Sequence, residues 1–264
     1  MLSVDDHIAV AVSGGKDSLS LLHILKKLVS RYPQSKLTAI AIDEGVKLYR
    51  DEALNLAENF SRKRNIPFVV LSFKEFYGYT LDELVRERDL QFPCSVCGVL
   101  RRRAIEKLAQ MVGANKIATA HNLDDEVQTF LLNIFHGNAE KINRTGPILS
   151  GISGTFLKKI KPFCRIPERE IVLYAYISGI DFQSITCPYA GTAFRNDLRK
   201  ILELIEKKHP GSTHTAFHSI EKIRSSMKNS MHTAQLCTIC NWPSSQEVCS
   251  VCKLLSKKPL SPAT

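Results

Sequence analysis

The run His7-Ile8-Ala9-Val10-Ala11-Val12-Ser13-Gly14-Gly15-Lys16-Asp17-Ser18 passes from a short β-rich apolar segment into a glycine pair. Leu21, Leu22, Leu25 and Leu28 then recur at helical spacing. The pattern predicts strand, phosphate loop and helix. Glycine gives the backbone freedom to wrap an anion, and a following helix turns its first amides and partial positive charge toward it. Lys16 adds a full charge. The spacing differs from Gly-x-x-x-x-Gly-Lys-Ser/Thr, so phosphoryl transfer of the common nucleoside-triphosphatase kind is disfavoured.

Working outward, Leu37 to Ile42 reads as a second buried strand ending at Asp43, followed by an amphipathic helix over Arg50 to Arg64 and a third strand over Ile66 to Leu71. Lys116 to Ala120 repeats the strand pattern and runs into His121-Asn122-Leu123-Asp124-Asp125. Beyond it Val127, Phe130, Leu131 and Ile134 mark a buried helical face. Such alternation predicts an α/β fold with a doubly wound, mostly parallel sheet. Gly137 to Leu157 reads as a mobile connection bordering the site, and Glu168 to Ile177 as another helix. Charged helices are expected over Asn196 to Lys208 and Thr213 to Lys228, before a cysteine-bearing tail from Leu236 to Leu255. The expected division is a catalytic domain over 1–190, a helical extension over 191–232 and a zinc ribbon with tail over 233–264.

The 264 residues carry a formal charge of +10, which favours a polyanionic partner through counterion release. Arg101, Arg102, Arg103, Lys158, Lys159, Lys161, Arg165, Arg195, Arg199 and Lys200 offer cations for a phosphate backbone, or simply solvated helix faces. No apolar run approaches the ~20 residues of a bilayer span, and the amino end has no secretory pattern, so a cytoplasmic protein without a membrane partner is expected.

In a reducing compartment the eight cysteines, six of them in three Cys-x-x-Cys pairs, point to metal or redox chemistry rather than disulfides. Cys94-Ser95-Val96-Cys97 stands ahead of Arg101-Arg102-Arg103, a setting expected to depress the thiol pKa values. A third thiol, Cys187, lies outside the pair and suits a three-cysteine iron–sulfur cluster better than closed tetrahedral zinc, with a catalytic persulfide or disulfide pair as the rival. Cys164 reads as a small buried hydrophobe. Cys237, Cys240, Cys249 and Cys252 form two Cys-x-x-Cys pairs eight residues apart, which satisfies a structural Zn²⁺ with no ligand left over.

Ser13-Gly14-Gly15-Lys16-Asp17-Ser18 resembles the pyrophosphate-binding (PP) loop of adenylating ATP pyrophosphatases. Together with Pro93-Cys94-Ser95-Val96-Cys97-Gly98, His121-Asn122-Leu123-Asp124-Asp125-Glu126 and Cys187-Pro188-Tyr189, it is similar, nearly end to end, to the tRNA 2-thiouridine synthetases. The resemblance implies that Ser13 to Ser18 hold the triphosphate of ATP and that Asp17 lies near Mg²⁺. Ala11 and Ile42 would flank the adenosine, or else belong to the plain core. Ala120 and Asp125 would join the ATP and Mg²⁺ site, although Asp125 also suits an N-terminal helix cap. Cys94, Cys97 and Cys187 match three ligands of a [4Fe–4S] cluster. They, Lys16 and Asp125 are the expected catalytic residues. The implied reaction adenylates the C2 oxygen of a uridine, at the wobble or T-loop position, and replaces it with sulfur.

The implied partners are tRNA and a sulfur donor, either a ubiquitin-like carrier with a C-terminal thiocarboxylate or sulfide, and a homodimer is the candidate assembly. The resemblance departs at the amino end. The family usually carries a cysteine-rich ribbon ahead of the loop, whereas twelve residues without cysteine precede Ser13. Contacts made by such a ribbon would be missing or supplied elsewhere. Two readings compete with thiouridine synthesis: a 2-thiocytidine or lysidine enzyme of the same loop superfamily, and a zinc-ribbon RNA-binding scaffold without turnover.

Overall fold

The computed structural model describes residues 1–138, 141–142, 146–149, 156–191, 194–227 and 235–256. Strand β1 (His7–Ala11) is followed by helix α1 (Lys16–Val29), β2 (Lys36–Asp43), α2 (Arg50–Arg62) and β3 (Phe68–Ser72). Short helices α3 (Phe73–Tyr77) and α4 (Leu81–Arg88) lead to the long α5 (Pro93–Met111), then β4 (Lys116–Ala118) and α6 (Leu123–Phe135). Next come β5 (Ile148–Leu149), β6 (Lys158–Ile160) and α7 (Glu168–Ile177), with α8 (Phe194–Lys208) and α9 (Ser212–Ser226) beyond. A two-stranded ribbon, β7 (Gln235–Leu236) and β8 (Pro243–Ser244), ends in α10 (Ser250–Leu255).

The main sheet has the order β3-β2-β1-β4-β6-β5, parallel throughout except for β5 against β6. The central strands β1, β2 and β4 are largely buried because both faces of the sheet are covered there. Ile8, Val10, Leu37 and Ala39 face one layer, with Leu21, Leu22 and Leu25 of α1, Ala57 and Phe60 of α2 and Ile171 and Ala175 of α7. Ala9, Ile40, Ile42 and Ile117 face the other, with Phe73, Leu81, Leu84 and the α5 residues Leu100, Ala104 and Leu108. This period-2 division is the strand alternation expected of a pleat. Leu123 and Val127 of α6 pack with Phe217 and Ile220 of α9 in a third, smaller cluster.

β1 lies between β2 and β4, whose chains continue to opposite sides, and open α/β sheets place ligands at such a reversal. The phosphate loop follows β1 there, and His121-Asn122 follows β4.

Three expectations need correction. Part of the connection expected over Gly137 to Leu157 lies outside the described residues, but Ile148–Leu149 is a strand, antiparallel to β6. Lys158–Ile160, read only as a source of cations, is the strand that extends the sheet beyond β4. Helices α3 and α4 were not anticipated, although both begin with reciprocal capping boxes, Ser72 with Glu75 and Thr80 with Glu83. The end of the expected 213–228 helix and residues 257–264 of the tail also lie outside the described residues.

Candidate active site

Gly14 turns the chain at φ +88°, and Gly15 caps α1 in extended conformation. A Cβ at Gly14 would meet Ala53 O at 2.4 Å, so the loop sits directly against α2. Ser18 Oγ takes the Ser13 amide at 3.1 Å and donates to Gly15 O at 2.9 Å, tying the two ends of the loop together.

Lys16 Nζ contacts Asp17 Oδ2 at 2.9 Å and Glu168 Oε1 at 2.6 Å. Burial disfavours the ammonium, but these carboxylates outweigh it and raise its pKa. Glu168, at the start of α7, also accepts from Arg199 at 2.5 Å. Burial pushes Glu168 up, yet Lys16 and Arg199 hold it below the usual range. Asp17 goes the other way: burial raises it against the pull of Lys16, with Glu168 and Asp125 adding repulsion. Its Oδ1 is buried with no hydrogen-bond partner among the described residues. An orphaned buried carboxylate oxygen beside an anion-binding loop suits a hard cation.

Asp125 plays two parts. It completes a capping box with Asn122 at the head of α6, and Arg195 reaches its Oδ1 at 3.4 Å. Burial raises its pKa, and it feels the charges of Glu168 and Lys16. Its neighbour Asp124 accepts the Glu168 amide at 2.7 Å and lines a cleft of about 780 Å³ with Gly15, Lys16, Asp17 and Arg199. At the strand ends Ala11 is half-buried and pairs with Ile40, while Ala120 packs partly against the first core layer. Ile42 is buried in the second layer, and its carbonyl accepts Arg50 Nε at 2.8 Å.

Pro93 starts α5, which places Cys94 and Cys97 in its first two turns. Cys187 stands before a single 3₁₀ turn, Pro188–Ala190. Cys94 Sγ donates to Tyr189 O at 3.1 Å, which brings the two segments together. All three thiols interact electrostatically, but among the described residues they do not form the tight group that one metal ion requires. As a donor set, three thiols with no fourth cysteine beside them have the chemistry of an iron–sulfur cluster's ligands. The expected depression of the thiol pKa is not found at Cys97. Burial pushes Cys97 up to about 12 and also raises Cys187, despite Arg101 beside them. At Cys97 desolvation outweighs the charge of Arg101, and a bound metal's own charge would act in the opposite direction.

A family model described as a PP-loop domain matches residues 3–205. A protein named as a probable sulfurtransferase from Methanocaldococcus jannaschii is 37% identical over 255 residues, covering 95% of this chain and 74% of that one. The cytoplasmic tRNA 2-thiolation protein 1 of Chlamydomonas reinhardtii is 39% identical over 253 residues, covering 95% and 71%. Among solved structures, the U34-tRNA thiolase NcsA from Methanococcus maripaludis, with its [4Fe–4S] cluster, superposes with a TM-score of 0.83 at 32% identity. That match spans 96% of this chain and 82% of the other. The chain belongs to the PP-loop family that contains these tRNA thiolation proteins.

Within this PP-loop protein the sulfur atoms of Cys237, Cys240, Cys249 and Cys252 all lie within 4.8 Å of one another. Amide donation from Cys249 leads a set of backbone bonds that pull Cys237 down to about 6. Arg103 of α5 donates to Cys249 Sγ at 3.3 Å and Cys240 Sγ at 3.1 Å, with its guanidinium over Trp242. This donor set suits Zn²⁺, with a cation beside a centre of net negative charge. Cys164 is 2% exposed in the α6–α9 cluster, as expected of a small hydrophobe.

Several site residues escaped the sequence reading. Glu168 meets Lys16 from 152 residues away. Glu44, Arg50 and Gln183 hold the loop from behind, and Asp82 accepts from Tyr189 at 2.8 Å. Only the helix-start acid Glu168 after Pro167 carried a local signal.

Proposed function

We propose that the chain is a tRNA 2-thiouridine synthetase acting on the wobble uridine, U34. The observation that carries this reading is one fold joining an adenylating loop, with its orphaned Asp17 oxygen, to the three cysteines Cys94, Cys97 and Cys187. The choice of U34 over the T-loop position follows the likeness to the U34-tRNA thiolase NcsA at 32% identity.

In this reading the Gly14 and Gly15 amides and Lys16 hold the triphosphate, Lys16 exchanging its Glu168 contact for a phosphate oxygen. Asp17 and Asp125 face Mg²⁺, which neutralises triphosphate charge, and backbone near Ala11, Ile42 and Ala120 flanks the adenosine. The uridine C2 oxygen attacks the α-phosphorus, the bond to the bridging oxygen breaks, and pyrophosphate leaves. C2 then carries a good leaving group. Sulfur bonds to C2, the C2–O bond breaks and AMP departs. A [4Fe–4S] cluster on Cys94, Cys97 and Cys187 would supply an iron without a cysteine, able to carry the sulfur. The zinc ribbon has a structural role. The donor is a thiocarboxylate carrier or sulfide, the compartment is cytoplasmic, and a homodimer is the proposed assembly.

Anaerobically reconstituted protein with ATP, Mg²⁺, sulfide and unmodified tRNA is expected to give 2-thiouridine and AMP, read by nucleoside mass spectrometry. Absence of both products sinks the proposal. Cys94→Ala, Cys97→Ala and Cys187→Ala should each remove the visible iron–sulfur absorption, while Cys164→Ala keeps it. Loss of zinc instead of iron from the first three would overturn the ligand assignment.

A further inference from the structure

Two hydrogen bonds hold the phosphate loop from behind. Arg50 Nη1 donates to Ser13 O at 2.7 Å, and the Gln183 amide donates to Gly14 O at 3.0 Å. In a planar trans peptide the carbonyl of one residue and the amide of the next point opposite ways. Fixing these two carbonyls therefore fixes the direction of the Gly14 and Gly15 amides, the donors a phosphate would use.

Each holder continues to a cysteine. Arg50 Nε pairs with Glu44 Oε2 at 2.8 Å, and both side chains are under 10% exposed, at 5% and 8%. Glu44 Oε1 in turn meets Arg101 at 3.5 Å, one turn beyond Cys97 on α5. Gln183 donates its side chain to Tyr49 O at 2.7 Å and to Glu52 at 2.9 Å, four residues ahead of Cys187. The charges of Glu44 and Arg101 act directly on Cys97 and Cys187. Glu44 is buried with one cation on each carboxylate oxygen, so a displacement of Arg50 draws on the same carboxylate that holds Arg101.

We propose that Glu44 is a positioning residue that couples nucleotide in the phosphate loop to the three-cysteine site, through Arg50 on one side and Arg101 on the other. The proposal rests on the reading that the loop takes ATP. Loop closure on a triphosphate reorients Ser13 O, the Arg50–Glu44 pair shifts with it, and Arg101 carries the shift to the first turns of α5. Sulfur chemistry is thereby made responsive to whether ATP is in place.

The test uses the full-length, cluster-free protein and no RNA. Alkylation by iodoacetamide is followed cysteine by cysteine by mass spectrometry, with and without the α,β-methylene analogue of ATP plus Mg²⁺, whose binding is measured separately by calorimetry. In the wild type the analogue is expected to change the Cys97 rate by about five-fold or more, the low end of ordinary site–site coupling, and to leave Cys164 unchanged. Each variant is assayed at an analogue concentration that calorimetry shows to saturate it, and under that condition the Cys97 rate of Glu44→Gln becomes indifferent to the analogue. A purely structural role would alter the rate equally with and without nucleotide, so the ratio is the deciding quantity. If Glu44→Gln fails to fold, Arg101→Gln cuts the same link from its more exposed end and must also abolish the ratio. Bound analogue without a rate change in the wild type, or an intact ratio in a folded variant, overturns the coupling. Failure of the wild type to bind the analogue overturns the ATP reading and the coupling with it.

Discussion

Gly14 combines two demands that only a glycine can satisfy. Its φ of +88° lies where a side chain costs about 1–2 kcal/mol, and a Cβ would press on the backbone of α2 at Ala53. Gly14→Ala should therefore destabilise the fold by about 2 kcal/mol or more and weaken ATP binding by about ten-fold, read by thermal melting and calorimetry. An unchanged ATP affinity would show that the loop does not take the triphosphate. Around that loop Asp17, Asp124, Asp125 and Glu168 face Lys16 and Arg199. A triphosphate entering so acidic a place needs a cation of its own. Chelating Mg²⁺ is expected to weaken ATP binding by about ten-fold or more, and calorimetry in excess chelator tests it. The loop was legible in the sequence because its residues are contiguous. Glu168 and Glu44 were not, since each acquires its role from a partner that the fold brings near.

The elements around the cysteines behave as a single block. Cys237, Cys249 and Val251 of the ribbon share an apolar cluster with Leu100, Ala104 and Leu108 of α5, and α10 packs on that helix. Arg88 of α4 closes the arrangement by donating to the last carbonyls of α10, Leu255 O at 3.0 Å and Ser256 O at 3.2 Å, and also to Leu254 O. If the quartet holds zinc as proposed, removing the metal should therefore loosen more than the ribbon. Cys249→Ser is expected to lose one equivalent of zinc, lower the melting temperature by several degrees and reduce the cluster content held by Cys94 and Cys97 at the head of α5. Zinc loss with a full complement of iron–sulfur absorption would show the ribbon to be energetically separate. The quartet was readable from spacing alone, and so were strands β1 to β4 and the amphipathic helices α1, α2 and α6. The docking was not, because Arg103 looks in sequence like one more member of a basic helix face, whereas in the fold it serves two sulfurs.

At the scale of the whole molecule, the formal charge of +10 overstates what is offered to a polyanion. Of the ten cations expected to form the surface, Lys159 pairs with Glu106, Lys161 with Glu126, Arg165 with Glu221, Arg195 with Asp125, and Arg199 with Glu168 and Glu203. Arg101 and Arg103 serve Glu44 and the ribbon. Sequence could not separate these from solvated charges, since the carboxylate that takes each one lies elsewhere in the chain. Lys158 and Lys161 make the distinction measurable, because both border the same short strand. Lys158 is exposed with no ion pair among the described residues, whereas Lys161 meets Glu126 at 2.5 Å with side-chain exposures of 10% and 3%. Lys158→Ala should leave the melting temperature unchanged, weaken tRNA binding, and reduce the slope of log K against log salt by about 0.7–0.9, the value of one phosphate contact. Lys161→Ala leaves Glu126 buried and unpaired, at a cost of about 3–5 kcal/mol, and should lower the melting temperature with the salt slope of the folded fraction intact. Filter binding across a salt series, paired with melts of both variants, gives the answer. If Lys161→Ala changed the slope while preserving the melt, its ion pair would be a surface contact and the cationic face would extend beneath β6.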